Sequence, residues 1–340
     1  MSDPSTSTAQ APVAAPEAAS AKRPARVRVQ RRAVHGVLLL DKPLGLSSND
    51  ALQRAKWLLR AEKAGHTGTL DPLATGLLPL CFGAATKFAQ ASLEADKRYV
   101  ATLRLGRTTS TGDAEGELVA ERPVAVDRAA IEAACARWTG PIRQLPPMHS
   151  ALKHQGRALY EYAREGVTIE REARAVTIHA IDILAWDDAR PEELVLDIRC
   201  SKGTYIRTLA EDLGETLGCG AHLTALRRTG SGALTLAGAI TLEALEAVPE
   251  PEREACLRHP DTLLAEWPAV RLDAPEAARF LTGLRRRTTQ PDSAQVRVYG
   301  PEPAALLGSA HIQGGELIAD RLLSPAEVQG LTNRLFRDHP

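Results

Sequence analysis

The chain has few cysteines, and their arrangement gives no sign of a disulfide framework or a metal site. Five cysteines are scattered along 340 residues, and no two of them form a Cys-x-x-Cys pair. Disulfide scaffolds need paired cysteines at regular spacings, and structural zinc sites need closely spaced ligands. We therefore expect isolated thiols, buried or half-exposed, and no bound metal.

Long hydrophobic runs are also absent. Apolar stretches such as 37–40 and 77–82 are short and strand-like, whereas a helix that spans a bilayer needs ~18 apolar residues or more. The first 24 residues lack the charged start and apolar core of a secretory signal. These features predict a cytoplasmic protein with no membrane contact.

The chain carries no net charge, because 42 basic residues balance 42 acidic ones. Nucleic-acid-binding domains are often strongly basic, so the total argues against such a partner. The distribution argues otherwise, since residues 22–32 hold six Lys and Arg and no acidic residue. This segment is either a contact for phosphates or a solvated tail. Alternating Ala, Pro and Ser in residues 1–32 predict a disordered tail.

Composition and patterning predict two folded units of α+β type. With 44% hydrophobic residues, the chain can bury a sizeable core, and its length suits one large domain at 33–262 and a small β-rich domain at 267–335. Prolines and charges at 249–268 indicate a linker, and Gly314-Gly315 between two apolar runs indicates a hairpin. The polar segment 146–174 has no long apolar face and predicts a protruding element.

Hydrophobic periodicity places the main elements of the larger unit. Strands are predicted at 36–41, 99–105, 175–184 and 194–200. One helix is predicted after a cap at Ser47 or Ser48, and another runs from Ile206 to Leu217 with Gly218 as its left-handed cap.

The loop at 65–76, GHTGTLDPLATG, is the most informative segment of the sequence. Its glycines and threonines do not pack a core, but they suit a backbone that a ligand approaches closely. Asp71, between Leu70 and Pro72, is its candidate functional residue. Taken alone, Asp71-Pro72 could equally begin a turn.

Three blocks together resemble the TruB family of pseudouridine synthases: GVLLLDKP at 36–43, the loop at 65–76, and SKGTYIR at 201–207. The similarity extends from about Gly36 to Arg228 and includes DKRY at 96–99. It departs from the family pattern at His149, where a tyrosine is commoner. Beyond Arg228 the likeness is confined to size and the hairpin pattern.

The resemblance implies roles for individual residues. Asp71 corresponds to the catalytic nucleophile, and Arg207 to the cation that keeps this carboxylate ionised in a dry pocket. Tyr99 corresponds to the tyrosine that stacks on the target base and removes its C5 proton. The implied substrate-binding residues are His66, Tyr205, Leu226, Lys42 and Lys153, of which Lys42 supports the pocket.

The resemblance also implies a fold and a partner. We expect a mixed or antiparallel central sheet, an RNA-binding insertion at 146–174, and a PUA-like C-terminal domain. The implied reaction isomerises uridine 55 of the tRNA T-loop after base flipping, with no cofactor. The partner would be the T-arm at the tRNA elbow. Separately from the resemblance, no clear apolar helix stripe is left over after folding, so we expect a monomer.

Two other functions fit parts of the sequence. One is a tRNA-binding folding factor for which isomerisation is secondary. The other is a hydrolase that uses Asp71 as nucleophile, which would ordinarily want a second carboxylate as general acid. Asp113 is the nearest acidic candidate, and nothing in the sequence places it beside Asp71.

Overall fold

The computed structural model describes residues 30–301 and 305–338, with side chains described up to residue 333. The predicted disordered tail therefore lies outside the described residues, except for residues 30–32. At that end Arg31 donates to the carbonyl of Ala61 at 3.0 Å, and Arg32 forms an ion pair with Glu254. These two basic side chains are thus attached to the folded chain. None of the helices in the described ranges has the length and apolarity needed to cross a membrane.

The described chain contains both strands and helices. The strands are β1 Gly36–Lys42, β2 Ala64–His66, β3 Ala74–Phe82, β4 Lys97–Leu105, β5 Arg107–Thr109, β6 Leu118–Glu121, β7 Gly140–Gln144, β8 Lys153–His154, β9 Arg157–Ala158, β10 Arg174–Asp187, β11 Arg190–Cys200, β12 Ala221–Ser231, β13 Leu234–Thr235, β14 Ala269–Arg271, β15 Arg286–Arg287, β16 Ser293–Tyr299, β17 Leu306–Gln313 and β18 Glu316–Leu322. The helices are α1 Ser48–Leu58, α2 Ala89–Glu94, α3 Arg128–Arg137, α4 Leu159–Arg164, α5 Ile206–Thr216, α6 Leu242–Ala247, α7 Ala274–Phe280 and α8 Pro325–Asp338.

A large mixed sheet forms the centre of the fold. Its strand order is β1-β3-β12-β4-β11-β10-β7, with β2 paired to β3 and β13 paired to β12. The β3–β12 pair is parallel, and the other pairs are antiparallel. Because β12 lies between β3 and β4, segments far apart in sequence meet at the middle of the sheet.

The first strand is apolar at residues 37–40 because both of its faces are covered there. Leu38 and Leu40 belong to the main core, where α1, α3 and α5 contribute apolar side chains. Val37 and Leu39 point to a second core on the opposite face. The predicted strand and the helix after it are confirmed, and Ser47 is the cap of α1 because its side chain accepts from the Asp50 amide.

A five-stranded sheet with the order β14-β16-β17-β18-β15 forms the C-terminal part. The predicted hairpin is confirmed, since Gly314 and Gly315 join β17 to β18 with φ of 59° and 74°. The linker predicted at 249–268 is wrong. Most of that segment forms two short 3-10 helices, and Leu263 and Leu264 are buried in the second core.

The strands predicted at 99–105, 175–184 and 194–200 are confirmed as β4, β10 and β11. The remaining predictions for the larger unit concern α5 and the insertion. The α5 helix is confirmed, and Gly218 lies just beyond it with φ of 80°. Segment 146–174 contains only the β8–β9 hairpin and the short helix α4. Within it Arg157 lies over the Tyr162 ring, and Arg164 lies over the Tyr160 ring.

Candidate active site

The loop between β2 and β3 holds Asp71 through a clamp from helix α1. The Ser48 hydroxyl donates to the Leu70 carbonyl at 3.0 Å and accepts from the Leu70 amide at 2.7 Å. Gly68 has φ of 92°, a conformation that side chains rarely adopt. Ser48 therefore holds both backbone polar groups of Leu70, the residue before Asp71, and this fixes the position of the Asp71 carboxylate.

Asp71 is paired with a buried arginine that also contacts a second carboxylate. Nη2 of Arg207 lies 3.0 Å from Oδ2 of Asp71, and Nη1 lies 3.5 Å from Oδ2 of Asp113. The side chains of Arg207 and Asp113 are 7% and 4% exposed, whereas that of Asp71 is 43% exposed. Arg207 also donates to the carbonyls of Thr111 and His149. The arrangement holds one guanidinium in place and leaves only the Asp71 carboxylate accessible.

A cavity of about 420 Å³ adjoins this ion pair, a size typical of small-ligand sites. It is bounded by the 68–71 loop, the ends of β4 and β12, the segment before α5, and part of the insertion. Its charged, aromatic and apolar walls include Asp71, Tyr99, Tyr205, Arg207, Leu226, Lys97 and Arg228. Five residues predicted from the sequence are thus brought to one cavity: Asp71, Tyr99, Arg207, Tyr205 and Leu226.

The two aromatic residues of the cavity, Tyr99 and Tyr205, are held in different ways. Tyr99 is an inward residue of β4, as its alternation predicts, and is 8% exposed. Burial raises the pKa of its hydroxyl. Gln144 clamps the backbone of Tyr205, accepting from its amide at 3.0 Å and donating to its carbonyl at 3.3 Å. Leu226 lies opposite Ala101 of β4, so it forms part of the same wall as Tyr99.

His66 lies in an adjacent cavity of about 540 Å³, which shares Asp71 and Arg207 with the first. Its Nδ1 is buried without a hydrogen-bond partner in the described part of the chain. Burial lowers the pKa of the imidazole, which favours the neutral ring. Tyr160 and Arg164 from the insertion also line this space. A neutral ring beside the carboxylate is suited to stacking against a base.

The two predicted lysines lie elsewhere. Lys42 is fully buried, and its Nζ donates to the carbonyls of Pro43 and Leu46 at 2.9 and 2.5 Å. Burial lowers the pKa of Lys42 to about 8, against the opposing attraction of Asp71. Lys42 thus braces the turn after β1. Lys153 is exposed on the β8–β9 hairpin and does not line either cavity.

Several residues of the site were missed or given no role by sequence reasoning. Ser48 and Gln144 form hydrogen bonds with the backbone of residues that are distant in sequence. No local sequence pattern indicates such contacts. Asp113 was considered only as a general acid. Arg228 could have been noticed in the sequence, because it lies two residues after Leu226 and therefore on the same inward face of β12. Lys97 gives the same kind of signal at the start of β4, where it is 8% exposed.

Three family models match consecutive parts of the chain. The N-terminal domain of the TruB family pseudouridylate synthases matches residues 56–206, the tRNA pseudouridylate synthase B C-terminal domain matches 207–264, and the pseudouridine synthase II TruB C-terminal model matches 268–323. The chain is 60% identical over 307 residues to tRNA pseudouridine synthase B of Verminephrobacter eiseniae, covering 89% of this chain and 93% of that protein. The chain belongs to the TruB family. The chain is also 62% identical over 309 residues to tRNA pseudouridine synthase B of Ralstonia nicotianae, covering 89% of this chain and 98% of that protein.

Solved structures agree with the family assignment at the level of the fold. The chain superposes on Cbf5 in a Cbf5-Nop10-Gar1 complex with a TM-score of 0.66 and 25% identity, covering 90% of this chain and 89% of that one. An archaeal box H/ACA Nop10-Cbf5 complex gives 0.65 at 23% identity, covering 90% of both chains. The predicted pseudouridine synthase fold and enzyme class are therefore confirmed for this member of the TruB family.

Proposed function

We propose that the enzyme isomerises uridine 55 in the T-loop of tRNA to pseudouridine, with Asp71 as its nucleophile. The observation that carries the proposal is the 3.0 Å pair between Asp71 and the buried Arg207 at the edge of a cavity of about 420 Å³. The guanidinium holds the Asp71 carboxylate at the edge of the cavity, where it can act as a nucleophile. The tRNA pseudouridine synthase B relatives support tRNA as the substrate.

The target uridine must leave the loop stack before Asp71 can reach it. Base flipping would place the uracil in the cavity between the Tyr99 and Tyr205 walls, with Leu226 as an apolar neighbour. Asp71 then attacks the base or assists departure at C1′ of the sugar, and the bond between N1 and C1′ breaks. After the ring has turned, C5 bonds to C1′, and Tyr99 provides the route by which the C5 proton leaves. No metal or redox partner is required by these steps.

RNA contacts outside the pocket would come from three regions. His66 would stack beside the nucleotides displaced by flipping, since its cavity adjoins that of Asp71. The insertion at 146–174, with the exposed Lys153, would contact phosphates of the T-arm at the tRNA elbow. The domain at 267–335 would add a PUA-like RNA contact, while Lys42 supports the pocket within the domain at 33–262. We propose a monomer that acts in the cytoplasm.

The hydrolase alternative is weakened by the position of Asp113. Its side chain is 4% exposed and lies behind Arg207, with one oxygen accepting from Thr111 and from the Glu115 amide. A general acid must reach the leaving group. The folding-factor alternative differs from the synthase only in chemistry, so one experiment separates the two.

The experiment measures tritium release from a T-loop transcript that carries C5-tritiated uridine at position 55. The parent, Asp71→Asn and the control Asp182→Asn are compared under single-turnover conditions, together with tRNA binding. Asp182 is exposed on β10 and lines neither cavity. We expect release by the parent and the control, and none by Asp71→Asn, with binding retained by all three.

Each other outcome has a definite meaning. A parent that binds and refolds tRNA without releasing tritium would replace the synthase by the folding factor. Release by Asp71→Asn at the parent rate would remove Asp71 from the mechanism. Release from a transcript whose only labelled uridine lies outside the T-loop would overturn the proposed position.

A further inference from the structure

Four paired residues form a row across four neighbouring strands, and two of them, Arg228 and Tyr99, line the pocket. Lys42 of β1 lies opposite Gly76 of β3, Gly76 lies opposite Arg228 of β12, and Arg228 lies opposite Tyr99 of β4. We call these four residues the cross-strand row. Directly paired residues have their Cβ atoms ~5 Å apart on one face. Arg228 and Tyr99 are therefore neighbours that no sequence spacing reveals.

Gly76 makes the close approach of β3 to Arg228 possible. Its φ is 96°, and a Cβ at this position would lie 2.3 Å from the Arg228 carbonyl oxygen. Any larger residue would push β12 away from β3. The glycine therefore fixes where the Arg228 side chain begins, directly beneath the loop that carries Asp71.

Arg228 is a buried cation that lacks a carboxylate partner among the described residues. Its side chain is 1% exposed, and Nε donates to the Leu77 carbonyl at 2.6 Å. Nη1 lies beside Gly68, 3.4 Å from where a Cβ would stand. Nη2 is buried with no regular hydrogen-bond partner in the described ranges. Burying a charge without a counter-charge lowers the stability of the folded state, so we expect Arg228 to have a function in the pocket.

The other cations that line the pocket contact other groups, and one of them, Lys202, pairs with Glu94. Arg207 is shared between Asp71 and Asp113. Lys97 directs its Nζ to backbone carbonyls at the end of α2, and burial followed by the charge of Arg228 lowers its pKa to about 8. Arginine stays protonated in proteins. Arg228 is thus the permanent positive charge available to Tyr99.

The electrostatics around the Tyr99 hydroxyl agree with this pairing. Burial raises the pKa of Tyr99 most, and the positive charge of Arg228 opposes that rise. Cys200 of β11 and Asp71 both raise it further. Arg228 is therefore the one group in this set that favours the phenolate.

We propose that Arg228 is a positioning residue that orients the Tyr99 hydroxyl and stabilises its phenolate while it accepts the C5 proton. This inference rests on the role of Tyr99 in the proposed function. In the step concerned, the bond between C5 and hydrogen breaks, and its electron pair forms the C5–C6 double bond. At C6, either the double bond to N1 gives its electron pair to N1 or, where Asp71 has attacked the base, the bond from C6 to the Asp71 oxygen breaks and the carboxylate leaves. The proton goes to the Tyr99 oxygen, and N1 takes up a proton from water. Arg228 itself does not touch the base.

The test compares Arg228→Met and Arg228→Lys with Arg227→Lys. Arg227 is the matched control because it is half-exposed and pairs with Asp41 at 2.7 Å on the other face of β12. Single-turnover rates are measured from low to high pH on T-loop transcripts with hydrogen or deuterium at C5. We expect Arg228→Met to be slower by roughly 100-fold, the scale of general base catalysis. Its rising limb should shift to higher pH, and its C5 isotope effect should exceed that of the parent.

The outcomes separate this inference from the proposed function. Arg228→Lys should recover part of the rate with a smaller pH shift, and Arg227→Lys should match the parent. A fall by one factor at every pH, with the parent isotope effect, means a purely structural role and overturns the inference alone. If Arg228→Met does not fold, the same two readouts on Arg228→Lys decide. An inactive parent overturns the proposed function and the inference with it.

Discussion

Arg207 is held between two carboxylates of very different exposure. This difference leaves Asp71 accessible to a substrate, while Asp113 is buried. A buried carboxylate stabilises a buried guanidinium, and Asp113 supplies that charge to Arg207 at 3.5 Å. Asp71 can then face the cavity without being the sole partner of Arg207. The role of Asp113 is therefore to position Arg207 rather than to contact the base.

Replacing Asp113 by Asn should slow the reaction without abolishing tRNA binding. The change removes the charge that holds Arg207 and leaves the guanidinium free to move toward Asp71. A misplacement of this kind in a catalytic group can cost roughly 100-fold in rate. Single-turnover tritium release measures it, with Glu117→Gln, an exposed acid in the same loop, as the control. A parent-like rate for Asp113→Asn would contradict the positioning role.

At the scale of the element, the start of α1 matters because it fixes the catalytic loop. Replacing Ser48 by Ala leaves the amide and carbonyl of Leu70 without their partner, at a cost of ~1–3 kcal/mol in unfolding free energy. The turnover rate should fall as well, because Asp71 is the next residue. Denaturant unfolding and single-turnover rates measure the two effects.

The control for Ser48 is Thr241→Ala, which removes the side-chain cap of α6, and Thr241 lines neither cavity. Loss of such a cap costs ~1 kcal/mol. Thr241→Ala should therefore lower stability and leave turnover unchanged. Equal losses of turnover in both variants would mean that Ser48 acts only through global stability.

Elements with strong local patterns could be predicted from the sequence. The alternation around Tyr99 and the apolar spacing in α5 identified a strand and a helix at the observed places. The error at 249–268 has a physical cause. Proline and charge density resembles that of a linker, while the burial of Leu263 and Leu264 depends on a core supplied by distant strands.

The neighbours of the site could be predicted only in part. Asp71, Arg207 and Tyr99 occur in recognisable blocks, so a family resemblance located them. The pairing of Arg228 with Tyr99 results from register between β12 and β4, which are more than a hundred residues apart in sequence. Contacts set by long-range register leave no periodic trace in either strand.

At the scale of the whole molecule, the two sheets share one core. Val37, Leu39 and Leu77 from the central sheet pack in the same buried cluster as Leu306 and Leu323 from the C-terminal part. Lys87 strengthens the junction by donating to the Leu322 carbonyl at 2.8 Å and pairing with Glu327. The C-terminal sheet therefore covers the face of β1 and β3 that points away from the main core.

This shared core predicts that Leu306→Ala weakens both sheets. Leu306 is fully buried, so its truncation should cost about 2–5 kcal/mol in unfolding free energy. Amide hydrogen exchange should accelerate in β1 and β3 as well as in β17, because their packing is continuous. The control is Ile312→Ala, whose side chain lies in a third core formed within the C-terminal part. It should accelerate exchange in β16–β18 and spare β1. If Leu306→Ala also spared β1 and β3, the two sheets would unfold independently, and the C-terminal sheet would not support the catalytic one.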